Sequence, residues 1–228
     1  MLAIAGMAWP SGWQVVRTNG IIYIVNVASV VDRNLALWGE WEADQIAYLK
    51  EMMRRHGCDI FLDVGANIGL YSLEMARGRL AGRIVALEPD PRSFHRLSLH
   101  AQINNAPIEI HNVAASAAAA RLRFKLYDLD NPGRSQIVAE GGDMMVSCVP
   151  VDSLLDVEGR TIFGKIDVEG HEKDVLGGMA ALAARNRLFL QVECFAEGRA
   201  AILEAARAIG LSEVARIGDD VYLANWPA

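Results

Sequence analysis

The stretch Phe61-Leu62-Asp63-Val64-Gly65-Ala66-Asn67-Ile68-Gly69 most constrains what this chain can fold into. An apolar run of strand length ends in an acid, and a glycine-punctuated turn leads directly into helix-forming sequence. Glycines let a backbone turn sharply and approach a ligand closely, and a helix beginning after Gly69 leaves its first N–H groups free to meet a carboxylate or phosphate. A strand–loop–helix of this kind is suited to a charged, nucleoside-like cofactor. A second apolar strand ending in an acid, Ile84-Val85-Ala86-Leu87-Glu88-Pro89-Asp90, follows at roughly the 20-residue interval at which such folds place the carboxylate that grips a ribose.

The pattern around this pair alternates. Apolar runs at 13–16 and 21–25 flank Thr18-Asn19-Gly20, which predicts a β-hairpin acting as a lid or edge element. A helix is expected over 42–56, with Ile46, Leu49 and Met53 at helical spacing, Arg54 and Arg55 late and Gly57 as the stop. Then come a strand at 60–64, a helix at 70–77, a strand at 84–87, a helix capped by Asp90 with Pro91 at its first position, and a strand at 108–113. Such alternation means right-handed crossovers and a parallel sheet. Further strands are expected at 122–126 and 145–151, joined by the turn-rich Asp128-Leu129-Asp130-Asn131-Pro132-Gly133-Arg134-Ser135 loop. Buried strands at 162–168 and 188–192 flank a helix carrying Val175, Leu176, Met179 and Leu182, whose Gly177-Gly178 pair points to close packing. A helix at 200–209 and an antiparallel hairpin of 213–217 with 221–224 end the chain. The expected architecture is α/β, a mostly parallel seven-strand sheet with an antiparallel C-terminal hairpin. An N-terminal segment, 1–41, precedes a main domain, 42–228.

Composition excludes several function classes. A net charge of −6 argues against a phosphate-backbone partner, so no nucleic acid is expected. The apolar runs break too soon to span a bilayer, and residues 1–10 lack the basic start of a secretory signal, so a cytoplasmic location and no membrane partner are expected. Cys58, Cys148 and Cys194 have no Cys-x-x-Cys spacing and read as small buried hydrophobes. A small-molecule substrate fits this balance. Oligomeric state is not encoded in any readable pattern.

Strand–helix alternation ending in an antiparallel hairpin, with acids closing the first two central strands, is the plan of a class I methyltransferase using S-adenosylmethionine. A nicotinamide-dependent oxidoreductase is the rival. It wants G-x-G-x-x-G, whereas Gly65 opens G-x-N-x-G and Leu70 stands where the last glycine would fall. A module that binds cofactor without transferring a methyl is the alternative outside enzymes.

Four motifs carry a resemblance to a known family: LDVGANIG from Leu62, LEPDP from Leu87, KIDVEGHE from Lys165 and WGEWE from Trp38. Over residues 37–193 the chain resembles the FkbM family of S-adenosylmethionine-dependent methyltransferases, whose characterised members are mostly O-methyltransferases of sugars and polyketide-type natural products. Asn131-Pro132-Gly133-Arg134-Ser135 resembles the family's asparagine-glycine-serine loop, and Glu193 falls where the family has an acid ending the next strand. The resemblance and the fold together imply S-adenosyl-L-methionine as cofactor. Asp63 would meet its amino group, Gly65, Asn67 and Gly69 would form the turn beside it, Glu88 would accept both ribose hydroxyls, and Asn112, Ala114 and Ser116 would border the adenine. Plainer roles compete: a helix cap for Asp63, an N-cap for Glu88, a simple turn for 112–116.

In an extended chain Asp167, Glu169 and His171 share one face, because strand side chains alternate. Three proton-active groups on one pocket edge suggest general-base work on an acceptor hydroxyl, worth about 10²–10⁴-fold, with Asp167 the first candidate, Glu169 the second and His171 the third. Alternatively Glu169 and Glu172 face the next helix, His171 is a turn residue and Lys165 an ion-pair partner. Asn131, Ser135 and Glu193 are the candidate acceptor-binding residues. A magnesium-type ion on the same carboxylates is a minority reading, and no metal is assigned. Glu42 is placed either at the cofactor mouth or as a first-turn acid, and His56, His95, His100 and His111 at surfaces or helix ends.

Overall fold

The computed structural model describes residues 12–127 and 132–227. Asn131 lies outside the described residues. The N-terminal hairpin pairs β1 (Trp13–Thr18) with β2 (Ile21–Asn26), antiparallel through the predicted turn. An unanticipated helix, α1 (Val30–Trp38), follows and ends at Gly39 in the left-handed region. Its polar middle, Asp32-Arg33-Asn34, hides the periodicity that would have marked it. Then come α2 (Ala43–His56), β3 (Ile60–Val64), α3 (Leu70–Gly78), β4 (Arg83–Leu87), α4 (Pro91–Ile103) and β5 (Ile108–His111). Asp90 caps α4 as its sequence implies, its carboxylate accepting the Arg92 N–H at 2.9 Å.

After β5 the chain builds a second, four-stranded sheet from β6 (Ala114–Ala115), β7 (Ala120–Lys125), β8 (Gln136–Ile137) and β9 (Met144–Val149), with a short 3₁₀ turn at Pro132–Arg134. It returns through α5 (Val151–Leu154), β10 (Thr161–Ile166), α6 (Glu172–Gly177), α7 (Ala180–Arg185), β11 (Arg187–Glu193), α8 (Arg199–Ala208), β12 (Ser212–Ile217) and β13 (Asp220–Ala224). The single helix expected over the 170s is two. The break falls at the glycine pair, where Gly178 lies against the Ser116 carbonyl so closely that a Cβ there would sit 2.2 Å from its oxygen.

The main sheet has the order β12-β13-β11-β10-β3-β4-β5, parallel from β5 to β11 and antiparallel at β13 and β12. Strand periodicity sorts its side chains into two cores. Leu62, Val85, Ile162 and Leu190 face α6, α7 and α8, while Phe61, Ile84, Phe163 and Phe189 face α2, α3 and the N-terminal hairpin. Phe61, Phe163 and Phe189 stand side by side in register across three strands. One step further along the same strands, on the same face, stand Asp63, Lys165 and Gln191. An aromatic row thus gives way to a polar row where the strands reach their carboxyl ends. His100 lies in the last turn of α4 and is fully buried there, its Nδ1–H donating to the Ile68 carbonyl at 2.9 Å while Nε2 accepts the Ile24 N–H at 2.9 Å, which ties the hairpin to the glycine loop.

Candidate active site

The carboxyl ends of β3, β4, β10 and β11 open into a cavity of about 270 Å³. This is where open α/β sheets place their ligands. Its wall brings together Gly65, Asn67 and Glu88, Ala114, Ser135 of the insertion, Asp167, Glu169 and His171 after β10, and Glu193 at the end of β11. Val31, Trp41 and Glu42 close it from the N-terminal side.

On the cofactor side, Glu88 is 6% exposed and its two oxygens accept the Asn67 N–H and the Asp90 N–H, each at 2.7 Å. A carboxylate oxygen offers two acceptor sites, so one on each oxygen remains for a vicinal diol. Burial pushes the Glu88 pKa up to about 8. The two remaining acceptor sites fit the hydroxyls of a ribose. Asn67 adopts a left-handed backbone at φ 49° and accepts from Ser93 Oγ at 3.1 Å, which fixes the loop that presents its N–H to Glu88.

Gly65 answers a packing need as well. A Cβ there would lie 1.8 Å from the Asp167 carbonyl oxygen, so the glycine makes room for the neighbouring strand end while it also stands on the cavity wall. Gly69 likewise faces Leu97 of α4. Asp63 is 1% exposed, and its Oδ2 accepts both the Ser72 N–H at 3.0 Å and the Ser72 hydroxyl at 2.6 Å. In these contacts it anchors the first turn of α3. Asn112 stays off the cavity wall; its amide donates to the Glu88 carbonyl at 2.8 Å and holds the end of β4. Ala114 is on the wall, and the Ser116 hydroxyl lies 3.0 Å from His171 Nε2.

On the reaction side, β10 ends at Ile166, so the residues from Asp167 to His171 are a turn and the alternation of an extended chain does not apply to them. They nonetheless meet in the cavity, because Glu169 takes φ 54° and Gly170 φ 95° and the turn folds back. Glu172 holds that turn, its Oε1 accepting the Val168 N–H at 3.2 Å and the Gly170 N–H at 3.0 Å. Left-handed backbone at non-glycine residues is uncommon and concentrates at functional sites. Glu42, Asn67 and Glu169 all adopt it, and all line the cavity.

Asp167 Oδ2 lies 2.6 Å from Lys165 Nζ, a buried ammonium. Burial alone would lower the Lys165 pKa, but Asp167 and Glu42 hold it well above the ordinary lysine value. Burial and the Asp167 charge raise Glu169 to about 7 and Glu193 to about 9. Burial lowers His171, opposed by Asp174. Asp167, Glu169 and Glu193 each offer an oxygen within 4.8 Å of the others, a donor set a magnesium-type ion can use. Among the described residues, Lys165 pairs with Asp167, and the Arg134 guanidinium on the cavity wall also opposes the rise at Glu169. Ser135 Oγ accepts the Tyr127 N–H and donates to Asp90 Oδ2, both at 3.1 Å, which fastens the insertion to the head of α4.

Sequence reasoning missed the support beneath this edge. Tyr71 and Gln191 are joined at 2.9 Å, Gln191 also donates to Asp220 Oδ1 at 2.9 Å, and Tyr71 donates to Glu42 Oε2 at 2.6 Å. No local spacing signals a network drawn from α2, α3, β11 and β13.

A mostly parallel sheet in this strand order, with a glycine turn after its first central strand and a buried acid able to accept ribose hydroxyls after the next, defines a class I S-adenosylmethionine-dependent methyltransferase domain. Residues 63–204 match the methyltransferase FkbM domain, and the chain belongs to that family. The chain is similar to the hexuronic acid methyltransferase AglP of Haloferax volcanii, 27% identical over 59% of this chain and 56% of the relative. It is also similar to Methyltransferase 1 of Beauveria bassiana, 28% identical over 52% and 57%, and to Methyltransferase sdnD of Sordaria araneosa, 28% identical over 60% and 74%. The chain thus spans little more than half the length of the first two. Among the described residues no helix is long and apolar enough to cross a membrane.

Proposed function

We propose that this chain transfers a methyl group from S-adenosylmethionine to a hydroxyl oxygen of a small molecule such as a sugar or a polyketide-type natural product. One observation carries the reading: a single cavity runs from the buried ribose-type acceptor Glu88 to the acids Asp167, Glu169 and Glu193. Bound cofactor supplies an electrophilic methyl. The chain's own side chains supply the rest. Glu88 fixes the nucleoside, and Glu169, raised to about 7 and without an ion pair among the described residues, takes the acceptor's hydroxyl proton. Asp167 is less suited to that task because Lys165 holds it as an ion pair, and it serves to orient the edge. Glu193 and Ser135 flank the acceptor space, and His171, braced by Ser116, bounds it. AglP's name supports a sugar-type acceptor.

The test is incubation of the full chain with S-adenosylmethionine and a panel of hexuronic acids, neutral sugars and hydroxylated polyketides, with S-adenosylhomocysteine and methylated product followed by mass spectrometry. Methylated product with at least one hydroxyl acceptor is expected. Failure to bind S-adenosylmethionine by calorimetry would overturn the reading.

A further inference from the structure

Beside the main cavity, under the glycine loop, lies a recess of about 50 Å³ walled by Trp41, Glu42, Asp63, Tyr71, Lys165 and Asp167. Glu42, Gly65, Asn67 and Asp167 belong to both walls, so the two spaces adjoin. Lys165 stands between two acids, 2.6 Å from Asp167 Oδ2 and 3.6 Å from Glu42 Oε2, with its ammonium 4.6 Å from the centre of the Tyr71 ring. The recess wall carries three carboxylates, Glu42, Asp63 and Asp167, against the ammonium of Lys165, so negative charge is in excess in a partly dehydrated space. Such a charge is stable there only with a further cation or donor to meet it.

Glu42 is the carboxylate that can meet one. Its side chain is 19% exposed, against 1% for Asp63, which Ser72 already engages. It is also held in place, Oε1 accepting Trp41 Nε1–H at 2.9 Å and Oε2 accepting the Tyr71 hydroxyl at 2.6 Å. Oε1 keeps an acceptor site beyond Trp41, whereas Oε2 already faces both Tyr71 and, at 3.6 Å, the Lys165 ammonium. The backbone at Glu42 is left-handed, φ 50°, a conformation a non-glycine residue holds only when its surroundings enforce it. A carboxylate fixed this firmly at the edge of a recess is preorganised for a positively charged partner.

We propose that Glu42, with Lys165 and Asp167 behind it, receives the α-ammonium of the methionine end of S-adenosylmethionine. The proposal rests on the cofactor reading above and adds the N-terminal helix pair to the cofactor site. It predicts that Glu42 distinguishes ligands that carry the amino-acid end from those that do not.

The experiment is titration calorimetry of S-adenosylmethionine, S-adenosylhomocysteine and 5′-methylthioadenosine against the full-length wild-type chain and Glu42→Gln. The substitution is expected to weaken the first two about 10- to 100-fold, the range of a charge-assisted hydrogen bond, and to leave 5′-methylthioadenosine within about twofold. Unchanged binding of that truncated ligand also reports that the variant is folded. Equal loss for all three ligands, or no loss for any, would overturn the assignment of Glu42. Wild-type protein that binds none of them would instead overturn the cofactor reading, and this proposal with it.

Discussion

Cofactor binding should be coupled to one proton at Glu88. The side chain is buried, and its pKa in the free protein stands at about 8. Two backbone N–H groups already donate to it, and two ribose hydroxyls would add two more donors, so the ligand selects the ionised form. At pH 8 about half of the protein presents that form and at pH 6 about one part in a hundred. The apparent dissociation constant scales inversely with the competent fraction. Affinity for 5′-methylthioadenosine, whose adenine and ribose do not titrate in this range, should therefore fall about 50-fold from pH 8 to pH 6, with close to one proton released on binding at the lower pH. Calorimetry in buffers of differing ionisation enthalpy reads both quantities. In Glu88→Gln the amide sets an N–H donor against Asn67 or Asp90 and removes an acceptor from one hydroxyl, so affinity at pH 8 should drop at least about tenfold and the pH dependence should vanish. A flat wild-type profile, or a Glu88→Gln profile parallel to it, would refute the reasoning.

Glu169→Gln should lower turnover about 10²–10⁴-fold with cofactor affinity nearly unchanged, and should remove the limb of the pH–rate profile near pH 7; an unchanged limb would take the base role away from Glu169. Glu88, Glu169 and Glu193 are raised from 4.5 to about 8, 7 and 9, so over that window the folded chain binds more protons than the unfolded one and these three groups lose stability as pH rises. Differential scanning fluorimetry should show the ligand-free melting temperature falling between about pH 5 and 9, less steeply in Glu193→Gln; a rise would contradict the assigned shifts. Gly65→Ala combines φ +79° with a Cβ 1.8 Å from the Asp167 carbonyl oxygen, and should abolish soluble expression or lower the melting temperature by many degrees. Wild-type stability in that variant would refute the packing account.

Much of the scaffold is written locally. The apolar runs of β3 and β4, the Asp90-Pro91 start of α4, and Gly218-Asp219 between β12 and β13 act over a few residues, so strand periodicity, caps and turn chemistry place them from sequence alone. The same holds for Glu88, whose position at a strand end puts it on the cavity wall. What the sequence by itself could not determine is what each side chain meets. Asp63 has a strand-end position like that of Glu88, yet it points into α3 and engages Ser72, because its parity puts it on the α3 side of β3 with Phe61. Asp167, Glu169 and His171 come together through a left-handed turn, not through alternation. Lys165 meets Glu42, and Tyr71 meets Gln191, across separations of more than a hundred residues. Those partnerships exist only once the sheet sets its strands in register and the N-terminal helices pack over their ends, and no local spacing records which distant groups will share the space.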